Sequence, residues 1–399
     1  MNYQIEFIMN IFYLLLFCVH FYVVGFCIYP AILSILFYFK SPRQVLTFNE
    51  QPVAEADYAV IVTAYEQVQL IPSVVKSILQ CNYSNFCIYV VADNCDISTL
   101  VFNDLRVQVL RPEIKLANNI KSHFYAIENF KRNHERITII DSDNLVDPGY
   151  FVELNKCFNL GFEAVQGVRK AKNLNSELAC LDEAGDIYYR YIDRLLLFNV
   201  GSSASLAGSG MAFSTKSYIK ALKGQDINGA GFDKLLQYQL VDAETRIAFA
   251  RNAVVYDTKT SKSKQLVEQR ARWINTWFKY LSWGVKMMFS SISDLSWNKF
   301  IFSIMLLRPP LFLLLLLSII VAVVDIIYYP HLLSGLVVAA ILFLLIFFRS
   351  LFIFSADRRI FQSLKRIPKF VLLQMFALMN AKRANKLSVA TKHDHNNPI

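Results

Sequence analysis

The stretch Arg136-Ile-Thr-Ile-Ile-Asp-Ser-Asp-Asn144 sets an apolar run in front of two carboxylates, Asp141 and Asp143, one residue apart. At the end of a strand, alternation points both side chains to one side. A hard divalent cation such as Mg²⁺ or Mn²⁺ takes a few oxygen ligands and shares its other positions with phosphates, so the pair suits the docking of a nucleotide diphosphate. Aspartates after a strand also form turns and cap helices, and the D-x-D by itself leaves both readings open. A calcium loop of the EF-hand type is excluded, because its third ligand position falls on Leu145 and its required glycine on Val146.

Working outward, the region of roughly residues 55–260 alternates strand-like runs with helical patterns. The runs are Tyr58–Thr63, Ile88–Ala92, Val107–Leu110, Ile137–Ile140 and Ala164–Gly167. That rhythm predicts a mostly parallel α/β sheet. Ligands sit at the carboxyl ends of such strands, where Tyr65, Glu66, Asp93, Arg111, Asp141 and Asp143 fall.

With 55% hydrophobic residues over 399 positions and a mean hydropathy of +0.35, the chain is too apolar for an ordinary soluble enzyme. Phe7 to Phe39 carries no charge and is long enough for one tilted membrane crossing. No Lys or Arg precedes Lys40, which argues against a cleaved signal peptide. Two further spans are predicted at Pro310–Tyr328 and Leu332–Phe354, joined by Tyr329-Pro330-His331. Lys40 and Arg43 after the first span, Arg308 before the hairpin and Arg349, Arg358 and Arg359 after it predict three crossings, a cytoplasmic middle and an N-terminus outside.

Of the net charge of +10, residues 349–399 hold +8 and residues 259–286 hold +6, whereas residues 40–258 net −3. Basic flanks beside apolar segments read as contacts to anionic lipid rather than to nucleic acid. The seven cysteines are scattered with no C-x-x-C pair, which fits a reducing cytoplasm and neither a disulfide framework nor a zinc site. The expected division is an N-terminal transmembrane helix (1–40), a catalytic domain (41–260), interfacial helices (261–308), a transmembrane hairpin (309–355) and a basic juxtamembrane tail (356–399) that ends in the polar Thr391–Ile399.

The remaining candidates each have a structural alternative. Val62-Thr-Ala-Tyr-Glu66 offers an aromatic and a carboxylate at a strand end to grip a base. Val90-Val-Ala-Asp-Asn-Cys-Asp96 gives Asp93 as an acceptor for a uracil N–H, with Asp96 as a helix cap. Lys121 and Arg111 are cations within reach of a diphosphate or are solvated surface charges. Leu206-Ala-Gly-Ser-Gly-Met-Ala-Phe213 sets Gly208 and Gly210 around Ser209 before a helix-like segment, either to bring backbone N–H groups to an acceptor or phosphate, or as a tight turn. Asp233, in Gly231-Phe-Asp-Lys-Leu-Leu236, stands at the mouth of a helix as a proton acceptor or as a first-turn acid. Gln269-Arg-Ala-Arg-Trp273 opens a basic helical segment with Trp273, Trp277, Trp283 and Trp297, the first two on one face. A helix lying at the membrane surface accounts for the amphipathic pattern but not for the Gln/Arg/Trp grouping.

In order, Asp93, Asp141-x-Asp143, the Gly-Ser-Gly turn, Asp233 and Gln269-x-x-Arg272-Trp273 before two spans resemble the membrane-embedded family-2 glycosyltransferases, the group with cellulose, hyaluronan and poly-N-acetylglucosamine synthases. The resemblance covers nearly the whole chain. It implies a GT-A fold, a Rossmann-like α/β domain, and inverting transfer of a hexose or N-acetylhexosamine from a UDP-sugar with a divalent metal, Mg²⁺ or Mn²⁺. Carried over, Asp93 contacts the uracil, Asp141 and Asp143 hold metal and diphosphate, Asp233 is the general base, and Gln269, Arg272 and Trp273 line the acceptor and diphosphate end.

Two departures stand out. Gly231-Phe232-Asp233 replaces the acidic pair common at the base motif, and three spans are fewer than polymer-threading synthases carry. The second favours single addition to a lipid-linked or glycan acceptor, or dependence on partner subunits of an export complex. A non-catalytic nucleotide- or glycan-binding scaffold and a ceramide-type lipid glucosyltransferase are the alternatives.

Overall fold

The computed structural model describes residues 2–40, 55–225 and 231–384. Arg43, the start of the expected catalytic domain and the Thr391–Ile399 tail lie outside the described residues. In chain order the elements are α1 (Asn2–Lys40), β1 (Tyr58–Tyr65), α2 (Ile71–Leu79), β2 (Phe86–Asp93), β3 (Val107–Leu110), α3 (Asn119–Glu128), β4 (Arg136–Asp141), β5 (Leu145–Val146), α4 (Tyr150–Asn159) and β6 (Ala164–Ala171). There follow α5 (Glu177–Tyr189), which runs on as a π-helical turn Arg190–Leu196, α6 (Leu197–Asn199), β7 (Met211–Ser214), α7 (Thr215–Leu222), α8 (Phe232–Asp242) and β8 (Ile247–Asp257). The last part is helical: α9 (Ser263–Ser293), α10 (Trp297–Leu307), α11 (Leu311–Tyr328), α12 (Pro330–Ile353), α13 (Arg358–Ser363) and α14 (Ile367–Asn380).

The strands form one eight-stranded sheet in the order β3-β2-β1-β4-β7-β6-β8-β5. β1 runs parallel to β2 and β4, and β2 to β3, in a register that aligns Tyr65 with Asp93 and Thr63 with Asp141. All eight residues of β2 are buried, as expected of a central strand covered on both faces. α2 buries Ile71, Val74, Val75 and Ile78, a stripe at helical spacing.

The five strand-like runs appear as strands, each with its ends extended by up to a few residues or unchanged. β5, β7 and β8 were not expected. The helix-like segment after the glycine turn is a strand, β7, because Met211, Ala212 and Phe213 are buried between the antiparallel neighbours β4 and β6. The helix comes one step later, at Thr215, where the Ser214 hydroxyl accepts from Ser217 N–H. Asp96 caps no helix; its carboxylate accepts from Ser98 N–H within a turn.

Three helices are long and apolar enough to cross a membrane, in the stretches Asn10–Lys40, Leu311–Tyr328 and Pro330–Ile353. α1 packs against both helices of the hairpin. The hairpin turn is a single residue, Tyr329, shorter than the expected three. Inside the bundle His20 Nδ1 stands 2.9 Å from Asp325 Oδ2, and both residues are buried. Beyond the spans, in the stretch read as a basic tail, α14 exposes Leu372, Met375, Phe376 and Met379 along one stripe and packs Ala377 against Ala271, Ile274 and Phe312.

The turn into β7 requires glycine at residue 210. Gly210 has φ +65°, and a Cβ there would lie 2.8 Å from Val255 Cγ2. Gly210→Ala is expected to destabilise the fold by about 1–3 kcal/mol through strain and overpacking, read as a lower thermal unfolding midpoint in detergent.

Candidate active site

A cleft with a cavity volume of about 640 Å³ opens at the carboxyl ends of β1, β2 and β4 and runs toward the first turn of α11. One end is built on Tyr65 and Asp93. Asp93 is 2% exposed and accepts from Leu116 N–H at 2.9 Å and Ala117 N–H at 2.7 Å, which pins the loop ahead of α3 over the cleft. Glu66 turns away: it pairs with Lys115 at 3.0 Å and accepts from Asn94, outside the cleft lining. Arg111 and Lys121 are exposed and also do not line the cleft, Lys121 because it lies on the outer face of α3.

Asp141 and Asp143 both line the cleft, but not by strand alternation. β4 ends at Asp141, and a turn closed by Asn144 N–H to the Asp141 carbonyl at 3.1 Å swings Asp143 round. Ser209 is fully buried, and its hydroxyl accepts from Asp141 N–H at 3.0 Å. Gly210 N–H donates to the Ile139 carbonyl. Gln166, also fully buried, donates to the Ser209 and Gly210 carbonyls and accepts from Ala207 N–H. The glycine turn is therefore a buttress that fixes the end of β4, and of its three residues only Gly208 reaches the cleft. Burial pushes the Asp141 carboxyl up to about 7, with Arg169 opposing and Asp143, Asp257 and Asp233 adding to the rise. A buried Asp141 that resists ionising beside the Asp143 carboxylate offers oxygen donors only, the chemistry of a hard divalent cation, although no group of three or more His, Cys, Asp or Glu side chains is gathered to hold one among the described residues.

Across the cleft, Asp233 occupies the first turn of α8, with Lys234 Nζ 3.5 Å from its carboxylate. Gly231, just before the helix, has φ +105°; a Cβ there would meet Thr276 Cγ2 at 2.8 Å and the Tyr280 ring at 2.9 Å. The turn bearing Asp233 thus packs flush against α9. α9 forms the facing wall with Gln269, Arg272, Trp273, Thr276, Trp277 and Tyr280.

Sequence reasoning missed the charged floor behind these residues. Arg169 pairs with Asp257, and Lys259 with Asp186, with Asp257 at 3.2 Å and with Glu183 at 3.6 Å. Arg190 pairs with Glu183 at 3.1 Å, and Arg270 pairs with Asp182 while lying 4.1 Å over the Trp273 ring. Asp182, Asp186 and Arg190 recur at a spacing of four, the one signal of a shared helix face, and such a face ordinarily reads as solvated. At the foot of α11, Arg308 pairs with Asp193 at 2.7 Å beside Pro310 and Phe312.

A family model described as glycosyltransferase-like family 2 matches residues 55–276. Among curated proteins no sequence matches the chain. Among solved structures, the mannosyltransferase PcManGT from Pyrobaculum calidifontis, in complex with GDP-Man and Mn²⁺, superposes with a TM-score of 0.57 at 12% identity, covering 91% of this chain and 99% of that one. At that identity the likeness is one of fold. S. aureus TarS 1–349 in complex with UDP-GlcNAc is similar at a TM-score of 0.40 and 15% identity, over 58% of this chain and 66% of that one.

The buried ion pairs carry two expectations. Arg270→Ala leaves Asp182 buried without its partner and is expected to cost about 3–5 kcal/mol, measured by chemical unfolding in detergent. Although burial raises them, Lys259 and Arg169 hold Asp186 and Asp257 below the ordinary carboxylate range. Their contribution is complete above the ordinary carboxylate value and is lost as pH falls through the lowered one, so stability should decline on acidification below about pH 4; a Lys259→Met variant should show a flatter decline.

Proposed function

Because the chain belongs to glycosyltransferase-like family 2, and is a glycosyltransferase on that ground, we propose that it is a membrane-bound, inverting enzyme that moves a hexose or N-acetylhexosamine from a UDP-sugar to a glycan or lipid-linked acceptor. The observation that carries this reading is that one cleft joins Asp93, Asp141 and Asp143 on the strand ends to Asp233 and the Gln269, Arg272 and Trp273 wall on the other side. In this reading Tyr65 and Asp93 hold the base, and Asp141 and Asp143 face the diphosphate. Glu66, Arg111 and Lys121, which lie outside the cleft lining, have no part in donor contact.

The acceptor hydroxyl oxygen forms a bond to the anomeric carbon from the face opposite the leaving group. The bond from that carbon to the diphosphate oxygen breaks, and its electron pair leaves with the nucleoside diphosphate. Asp233 takes the hydroxyl proton, which a carboxylate at the start of a helix on the acceptor side is suited to do. Asp141 and Asp143 would hold a divalent cation, Mg²⁺ or Mn²⁺, which supplies positive charge for the departing diphosphate. Arg272, on the same wall, offers a planar fork for phosphate oxygens.

The three apolar helices support an integral membrane protein. Lys40, Arg308 and Arg349 stand at one end of the three spans, which supports a cytoplasmic catalytic domain with the N-terminus outside. The cleft's lining by Leu306, Pro310 and Phe312, at the foot of α11, supports an acceptor delivered at the membrane, with or without partner subunits. The domain bounds proposed from sequence are kept, with residues 356–399 amended to include α13 and α14.

A panel of UDP- and GDP-sugars with Mg²⁺ or Mn²⁺, scored by nucleotide release with membrane extract, is expected to show turnover with a UDP-sugar. Asp143→Ala should abolish it. Asp233→Asn should lower kcat by about 10²- to 10⁴-fold while leaving the donor Kd unchanged. Transfer by Asp233→Asn near the native rate would sink the base assignment.

A further inference from the structure

α9 carries polar atoms into the cleft that no group among the described residues satisfies. Tyr280 is 6% exposed, lines the cleft, and its hydroxyl has no hydrogen-bond partner among the described residues. One turn earlier Trp277 also lines the cleft with its indole Nε1 buried and unpartnered, and Gln269 Oε1 is in the same condition two turns before that. Buried polar groups are almost always paired, so a row of unpaired ones on a cavity wall marks where a ligand or water is held. Successive members of the row Gln269, Trp273, Trp277 and Tyr280 stand about 4.5–6 Å apart along the helix, a repeat of the order of one pyranose ring.

The chemistry of the row is that of a sugar-binding surface. The Trp273, Trp277 and Tyr280 rings supply apolar surface, with Arg270 over the Trp273 ring and Trp283 4.2 Å from the Tyr280 ring; Trp277 Nε1 donates only, Tyr280 Oη donates or accepts, and Gln269 Oε1 accepts. Burial and the nearby Asp233 carboxylate push the Tyr280 phenol up to about 12, so the hydroxyl is a neutral donor at physiological pH. A neutral polyol meets no charge repulsion beside Asp233, which already pairs with Lys234.

Tyr280 is also positioned against the reacting end. A Cβ on Gly231 would lie 2.9 Å from the Tyr280 ring and 3.5 Å from its hydroxyl, and Gly231 is two residues from Asp233. The missing side chain of Gly231 is what lets Tyr280 approach this turn. We infer that Trp277 and Tyr280 form an acceptor subsite for a neutral oligosaccharide, in which Tyr280 Oη and Trp277 Nε1 hydrogen-bond ring hydroxyls of the sugar whose free hydroxyl meets Asp233. This rests on Asp233 being the base, and it narrows the acceptor from any lipid-linked group to a glycan of two or more sugars.

The test uses the full chain in detergent with UDP and Mn²⁺. Binding of glucose, N-acetylglucosamine and mannose oligosaccharides of one to five units is followed by tryptophan fluorescence. At least one series should bind with affinity that rises with length. Tyr280→Phe, which keeps the ring packed on Gly231, and Trp277→Phe should each weaken that binding about tenfold, raise the acceptor KM more than they lower kcat, and leave UDP binding unchanged. Absence of binding in all three series, equal binding by the variants, or binding of polyprenyl phosphate in place of oligosaccharide overturns the subsite. Asp233→Asn should keep oligosaccharide binding and lose transfer. If it transfers normally while Tyr280→Phe still binds weakly, the base reading fails and the subsite stands.

Discussion

Lys259 is 4% exposed and sits among Asp186, Asp257 and Glu183, with Arg169 on Asp257 and Arg190 on Glu183. These charges come from β6, β8, α5 and the loop into α9, so the ion pairs tie the second half of the sheet to the helices that lead to the apolar bundle. Charges removed from water on this scale persist only when each has a partner. Arg270 on Asp182 extends the same network into α9 and fixes the rotation of that helix, which decides which of its side chains face the cleft. The arrangement is stiff at its base and open at its mouth, as a site that must orient two substrates requires.

From that base two further constraints follow. The Ser209 hydroxyl and the Gln166 amide, both fully buried, hold the end of β4, so that Asp141 and Asp143 turn into the cleft at a defined place. On the opposite side, Gly231 lets the start of α8 rest against Thr276 and Tyr280. The π-helical turn Arg190–Leu196 breaks the α-helical spacing where Asp193 meets Arg308, joining the floor of the cleft to the foot of α11. Wider turns of this kind recur at functional sites because they redirect side chains that a regular helix would aim elsewhere.

Much of this was legible in the chain. Long apolar runs have few folds open to them, so the three spans and the five strands before the floor of the site could be read from hydropathy and period. Residues at strand ends were legible too, since the parallel sheet sends them to one edge: Tyr65, Asp93 and Asp141 line the cleft as expected. Glu66, Arg111 and Lys121 do not, because a strand end or a helix start fixes only the neighbourhood of a side chain and not the direction in which it leaves the backbone. β7 reads as helix-like in the sequence because Met211-Ala-Phe213 is too short to show a period, and its burial between β4 and β6 comes from sheet order alone.

By itself, the sequence determined the α/β alternation, the membrane segments and the ordered acidic and Gln/Arg/Trp motifs, since each depends on residues near one another in the chain. Only the tertiary structure decided which charges are buried as partners, that the Gly208-Ser209-Gly210 turn props the end of β4, and that Tyr280 stands beside the turn of Asp233. Those outcomes depend on groups separated by tens of residues and meeting across packed elements. Electrostatic pairing and steric fit act through space, and no local pattern of residue types encodes which distant partner closes the gap.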